Sequence, residues 1–281
     1  NKQMKGALLK VLIVLTSHAQ LGDTGRPTGY WLSEAVHPYH KLVEAGFAVD
    51  FASPAGGKAP LDPTSRDLSD DGNRRFLGDP ELVNKIENTI PASSVRAQDY
   101  AAILYAGGHG TMWDFPNDKT LAAVAGAIYD KGGAVAAVCH GPAALLEIKL
   151  AAGRRLIEGK ELTSFTNEEE SAAGMAQAVP FALETELVAR GATFRKAANW
   201  ASNVVISERL VTGQNPASAA AVGEALVKLL QTTWFEKQKI KQLNGVAIRS
   251  KAEGLDAIAK AARGKFEKEE AERAKALRLK E

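Results

Sequence analysis

Four short runs constrain this chain more than anything else in it. "LKVLIVL" (9–15), "AVDFAS" (48–53), "AAILYAG" (101–107) and "AVAAVC" (134–139) are largely apolar at successive positions rather than at alternate ones. A strand with one wet face alternates. A strand covered on both faces does not, and such strands belong to parallel sheets sandwiched between helices. Amphipathic stretches near 28–46, 80–90 and 118–131 separate the runs, with Gly46, Gly132 and Gly133 as C-terminal stops. "GKELTSF" (159–165), "ATFRKA" (192–197) and "NVVIS" (203–207) continue the strand series, and a helix over 215–231 closes it. Strand–helix–strand repetition with right-handed crossovers predicts one α/β domain over 1–231, a doubly wound, mostly parallel sheet with helices on both faces.

The remaining residues, 232–281, read differently. They hold 13 Lys+Arg against 8 Asp+Glu and carry no strand signal. Leu255, Ile258, Ala259, Ala262 and Phe266 recur at helical spacing, which predicts a charged helical C-terminal extension with one modest apolar stripe. Two uses of it stay open: an appendage laid on its own domain or on a dimer partner, and a dedicated recognition arm. The whole chain has a net charge of only +2. A charge excess without interleaved aromatics does not mark a nucleic-acid binder, so no nucleic-acid partner is expected. The apolar run from Leu9 to Leu15 has Lys10 inside it, is too short to span a membrane, and no signal-type cleavage site follows. With one cysteine there is no intramolecular disulfide framework, and a reducing, cytoplasmic setting is expected.

That one cysteine, Cys139, ends an apolar strand and is followed by "HGPAALLE", which starts a helix with Pro142 near its first turn, where a missing N–H costs nothing. Ligands of a parallel sheet sit beyond the carboxyl ends of its strands. A residue on such a strand–turn–helix corner is held exposed and strained, as in a nucleophile elbow. The helix N-terminus adds free N–H donors and partial positive charge, which predicts a thiol that ionises more readily than the unperturbed value of about 8.5. A free cysteine is also a common small core residue. The strand end, the following histidine, and then Gly and Pro at a helix start decide for a nucleophile.

Five motifs, in order, carry a resemblance: "TGYWLSEAVHPYHKLVEAGFAVDFASPAGG" (28–57), "YAGGHGTMWDFP" (105–116), "AVCHGPAAL" (137–145), "LTSFTNEEE" (162–170) and "LVTGQNPASA" (210–219). Together they resemble the DJ-one/PfpI superfamily, whose fold is flavodoxin-like, of the class I glutamine amidotransferase type. The branch they are most similar to is that of the cofactor-independent glyoxalase III enzymes, also described as heat-shock-protein-31-like chaperones and protein deglycases. The resemblance implies Cys139 as nucleophile, His140 as general acid/base, Glu34 as the carboxylic acid against the sulfur, and Glu170 as the group that orients the histidine. Glu168 and Glu169 leave the register of that last assignment open, acids at a helix N-terminus being welcome anyway.

Each role makes physical sense. Burial and a neighbouring thiolate raise a carboxyl's pKa, so Glu34 can stay protonated and donate. Gly107 and Gly108 let backbone N–H groups approach an oxyanion beside the N–H of His140; a simple tight turn is the plainer reading. His109 has no assigned role. Relatives use a histidine of this motif for metal, but "LDPTSRDLSDDGNRRF" (61–76) offers no second histidine, so no metal is expected. His18 is a candidate for the pocket mouth, Trp113 for a pocket wall or the core, and His37 and His40 join no ligand set. "GGHG" is too short for a dinucleotide or P-loop fingerprint, so no cofactor is expected either.

The resemblance implies conversion of methylglyoxal or a related 2-oxoaldehyde into a 2-hydroxy acid such as lactate, through a cysteine hemithioacetal, in a homodimer. Two rivals use the same residues: a cysteine amidase or peptidase, and a holdase chaperone or oxidation sensor.

Overall fold

Val11, Leu12, Ile13 and Val14 have no solvent exposure, and they divide between two cores. Leu12 and Val14 pack into one hydrophobic cluster, Val11 and Ile13 into the other. This alternation follows from the strand's period of two, and it requires cover on both faces. The computed structural model describes residues 9–278. Its strands are β1 (Lys10–Val14), β2 (Ala48–Ser53), β3 (Ile90–Pro91), β4 (Ala102–Tyr105), β5 (Ala134–Val138), β6 (Glu161–Leu162), β7 (Thr193–Phe194), β8 (Val204–Ser207) and β9 (Leu210–Gly213). Seven form one sheet in the order β3-β2-β1-β4-β5-β9-β8, parallel except for the β8–β9 pair.

The helices are α1 (Leu32–Glu44), α2 (Asp71–Leu77), α3 (Pro80–Glu87), α4 (Thr111–Asp114), α5 (Lys119–Asp130), α6 (Asn167–Ala172), α7 (Leu183–Ala189) and α8 (Ala219–Arg278). Residues from α4, α5 and α7 share a core with Leu12, Ile103 and Val135. Residues from α1, from α2 and from the start of α8 share the other with Ile13, Leu104 and Ala136. The sheet is therefore doubly wound, as expected. Local chemistry sets the helix starts: Asp118 Oδ1 accepts the Leu121 N–H at 2.8 Å, and Asp79 caps α3 ahead of Pro80. Gly46 and Gly132 close α1 and α5 at φ of +86° and +89°.

Four local expectations change. The stretches 159–165 and 192–197 shrink to β6 and β7, which pair with each other in a small separate sheet. Leu210–Gly213, inside a motif rather than read as a strand, is β9 and lies between β5 and β8. Residues 28–31 precede α1 in extended form, held by the Tyr30 N–H to the Pro60 carbonyl at 2.9 Å. The turn after His140 is a 3₁₀ helix, Gly141–Glu147, rather than an α-helix.

The chain divides between Leu230 and Gln231 into two compact units. The second is helical through Arg278. No helix among the described residues is long and apolar enough to cross a membrane.

Candidate active site

Cys139 is the first residue past β5, at the carboxyl edge of the sheet, where the winding of the fold opens a crevice. Its N–H donates to the Gly213 carbonyl at 2.9 Å, and its own carbonyl accepts the Phe165 N–H at 2.8 Å. Pinned from both sides, it adopts φ of +60°, a left-handed conformation that costs a residue with a Cβ about 1–2 kcal/mol. The side chain is 3% exposed, yet it lines a cavity of about 280 Å³.

His140 follows at once. Its Nδ1 lies 3.4 Å from the Cys139 sulfur, and its Nε2–H donates to Glu170 Oε2 at 2.6 Å. The first turn of α6 supplies Glu170. The turn starts as a capping box in which Thr166 accepts the Glu169 N–H and Glu169 accepts the Thr166 N–H. The three consecutive acids therefore separate cleanly. Glu168 is exposed and pairs with Lys196 at 2.8 Å. Glu169 is buried and ties together the Trp200 N–H, Gln214 and Asn215. Glu170 alone reaches the histidine. Glu169 is thus no solvated helix-start acid; it fastens three segments beneath the site.

Glu170 has a second partner. His109 Nε2–H donates to Glu170 Oε1 at 2.7 Å, and the two imidazole rings lie 4.2 Å apart. Burial opposes ionisation of Glu170, but facing His140 and hydrogen-bonded by both rings its carboxyl is held well below the usual range. Burial also pushes His140 below its ordinary 6.5, so the resting imidazole is neutral. An ionised carboxylate makes each Nε2 a donor, which leaves Nδ1 of the neutral His140 ring as a bare lone pair. Among the described residues, His109, His140 and Glu170 are the group whose ligand atoms could hold a metal, within 4.8 Å of one another. Here they satisfy one another instead: two N–H donors against two carboxylate oxygens.

Glu34 comes from the first turn of α1 and has no solvent exposure. Burial lifts its pKa from 4.5 to about 8, with a hydrogen bond to Cys139 and another from Gly107 pulling the other way. Oε2 accepts the Gly107 N–H at 2.7 Å, while Oε1 has no nitrogen or oxygen partner. A protonated Glu34 carries its proton on Oε1, since Oε2 is already engaged by the Gly107 N–H. This assigns Gly107 differently from expectation: its N–H is committed to Glu34 and is not free for an oxyanion. A Cβ on Gly107 would sit 2.3 Å from Glu34 Oε2 and 2.6 Å from the Val138 carbonyl, so only glycine lets the acid approach. Gly108, at φ of +104°, lines the cavity.

The expectation of an easily ionised thiol also changes. Burial above all, with the charge on Glu170 adding to it, pushes the Cys139 thiol up, and the short 3₁₀ turn that follows does not offset them. The resting sulfur is a thiol with a base poised on it.

Sequence reading missed most of the cavity wall, which includes Trp31, Phe165, Met175 and Trp200. Trp200 sits at φ of +67°, half exposed, with its ring 5.7 Å from Phe165. Of the uncertain candidates, Trp113 packs against the core and stacks on His18 at 5.0 Å, and neither lines this cavity. His37 pairs with Asp70 and His40 with the Gly72 carbonyl, away from the sulfur.

Residues 28–229 match the sequence profile of the DJ-1/PfpI family. The glutathione-independent glyoxalase HSP31 of Saccharomyces cerevisiae is 36% identical over 227 residues, 75% of this chain and 93% of that one. Glyoxalase 3 of Candida albicans is 31% identical over 78% of this chain and 98% of its own. Among solved structures, Rapid Encystment Protein 24 kDa of Francisella tularensis superimposes with a TM-score of 0.77 at 41% identity, covering 79% of this chain and 99% of that one. Glyoxalase III from Candida albicans gives 0.73 at 31% identity, over 79% and 97%.

Proposed function

Because the chain belongs to the DJ-1/PfpI family, we propose that it is a glutathione-independent glyoxalase, an enzyme that converts methylglyoxal and related 2-oxoaldehydes into 2-hydroxy acids such as lactate. Cys139 is the nucleophile. Its proton passes to the bare Nδ1 of His140, 3.4 Å away, as the sulfur adds to the aldehyde carbon. Activation within the encounter suits a thiol whose burial discourages a standing thiolate. Glu34, protonated and hydrogen-bonded to Cys139, holds the sulfur in place. The N–H groups of Gly108 and His140 receive the oxygen of the hemithioacetal.

His140 gives the thiol proton to the hemithioacetal oxygen. Neutral again, it carries a proton from the aldehyde carbon to the neighbouring carbon through an enediol, while the hydroxyl proton passes to the second oxygen, leaving a thioester on Cys139. Glu170 fixes the tautomer that keeps Nδ1 bare and steadies the imidazolium each time it forms. Water then releases the hydroxy acid. A cavity of about 280 Å³ suits a small aldehyde rather than a length of peptide, which favours this chemistry over an amidase or peptidase.

The observation that carries the proposal is the chain of contacts from the Cys139 sulfur through His140 to Glu170, at 3.4 and 2.6 Å. Incubating the purified protein with methylglyoxal and no glutathione yields lactate. Cys139→Ala yields none, and Glu170→Gln lowers kcat/KM by about 10²–10⁴-fold, since an amide cannot accept from both rings. Lactate formation that survives Cys139→Ala refutes the assignment.

A further inference from the structure

The mechanism above uses one of the two histidines on Glu170. We propose that the second, His109, is the general base for the hydrolytic half of the reaction, taking the proton from the water that attacks the Cys139 thioester. The inference rests on the glyoxalase reading and assigns the two halves of that reaction to two different imidazoles.

Three observations lead to it. His109 lines the same cavity as Cys139 and His140, so it faces whatever is bound to the sulfur. Its Nε2–H is committed to Glu170 Oε1 at 2.7 Å, so Nδ1 is the nitrogen left over, and among the described residues that atom has no hydrogen-bond partner. It also directly follows Gly108, which lines the cavity beside the sulfur. A core histidine is usually satisfied at both nitrogens, and this one is satisfied at one.

Thioester breakdown moves one proton from water to sulfur. Water's oxygen forms a bond to the carbonyl carbon and gives up a proton, while the carbon–sulfur bond breaks and the sulfur takes one. His140, neutral again after the enediol step and with Nδ1 3.4 Å from the sulfur, has no proton of its own to return and passes on to the sulfur the one that water releases. His109 collects it from the water. The products are the 2-hydroxy acid and the restored thiol, with no oxidant or further reactant. The shared carboxylate fits such a division: with the rings 4.2 Å apart, a charge on His109 disfavours one on His140, so Glu170 supports one imidazolium at a time.

The test uses the full chain carrying His109→Gln, whose amide nitrogen superposes on Nε2 and can still donate to Glu170 Oε1, with His109→Asn, too short to reach that oxygen, as a second variant. Steady-state lactate formation falls by at least about 100-fold, the usual worth of a general base. In a single turnover with one equivalent of methylglyoxal, the variant accumulates an adduct heavier by one methylglyoxal. Added hydroxylamine, which needs no base to attack a thioester, then releases lactohydroxamate in proportion to the accumulated adduct. The proposal is overturned if steady-state turnover stays within about threefold of wild type, or if the adduct gives no hydroxamate and is therefore stalled as a hemithioacetal. Wild-type protein that forms neither lactate nor adduct overturns the glyoxalase reading itself, a distinguishable result.

Discussion

Replacing Glu34 by glutamine should make the protein more stable at pH 8 while crippling it as a catalyst. Glutamine has the shape of a protonated glutamic acid. It can accept the Gly107 N–H with its oxygen and offer an N–H to the Cys139 sulfur, but it cannot ionise. The native residue can, and folding raises its pKa from 4.5 to about 8 because burial penalises the carboxylate. For an acid raised in this direction, the stability of the protonated form is fully present below pH 4.5 and is lost as pH climbs to about 8. Each pH unit in that window costs about 1.4 kcal/mol, because the unfolded chain has released a proton that the folded one retains. Allowing for the curvature near each end, the stability advantage of Glu34→Gln should widen by about 3–4 kcal/mol between pH 5 and pH 8, and then level off. Other titrating groups are common to both proteins and cancel in the difference. Urea unfolding followed by tryptophan fluorescence reads it directly, since Trp31, Trp113 and Trp200 lie in the same unit as Glu34. A gap that does not change with pH refutes the idea that Glu34 is buried with its proton on.

Two further outcomes follow from the same geometry. Gly107→Ala drives a methyl group to within 2.3 Å of Glu34 Oε2, so the carboxyl must move off the sulfur; a loss of about 1–3 kcal/mol in urea unfolding and a large fall in lactate formation are expected, and an unchanged midpoint contradicts the contact. Because burial keeps His140 neutral below its ordinary 6.5, its base form persists as pH falls, so the acid limb of kcat/KM should lie below pH 6.5; a limb at or above that value, measured from pH 4.5 to 8, contradicts it.

The architecture was legible where strands are covered on both faces and several residues long, as in β1, β2, β4 and β5. It was illegible where an element has two residues, as in β3, β6 and β7, because a period of two needs more than one repeat to show. β9 hid for another reason: its four residues run straight into "QNPASA", and the motif drew attention away from the strand. Cys139 and His140 were legible as a pair because they adjoin in the chain. Glu170 could be chosen from three acids only by the motif, since the choice depends on which side of a single helical turn faces the cavity. His109 was visible but mute. Its partner stands 61 residues away, and nothing local to "AGGHG" says that the fold will bring the two onto one carboxylate. Trp31, Phe165, Met175 and Trp200 carry no chemistry of their own to mark them, so only assembly reveals them as a wall.

Cys139 occupies a backbone pose that glycine would hold without strain. In a lineage freed from the need for aldehyde chemistry, the mutation that relaxes the corner is also the one that deletes the sulfur. Descendants of this chain with glycine at position 139 would thus mark the loss of the reaction and keep the fold, and sequence drift at a single codon would record when the enzyme ceased to be needed as one.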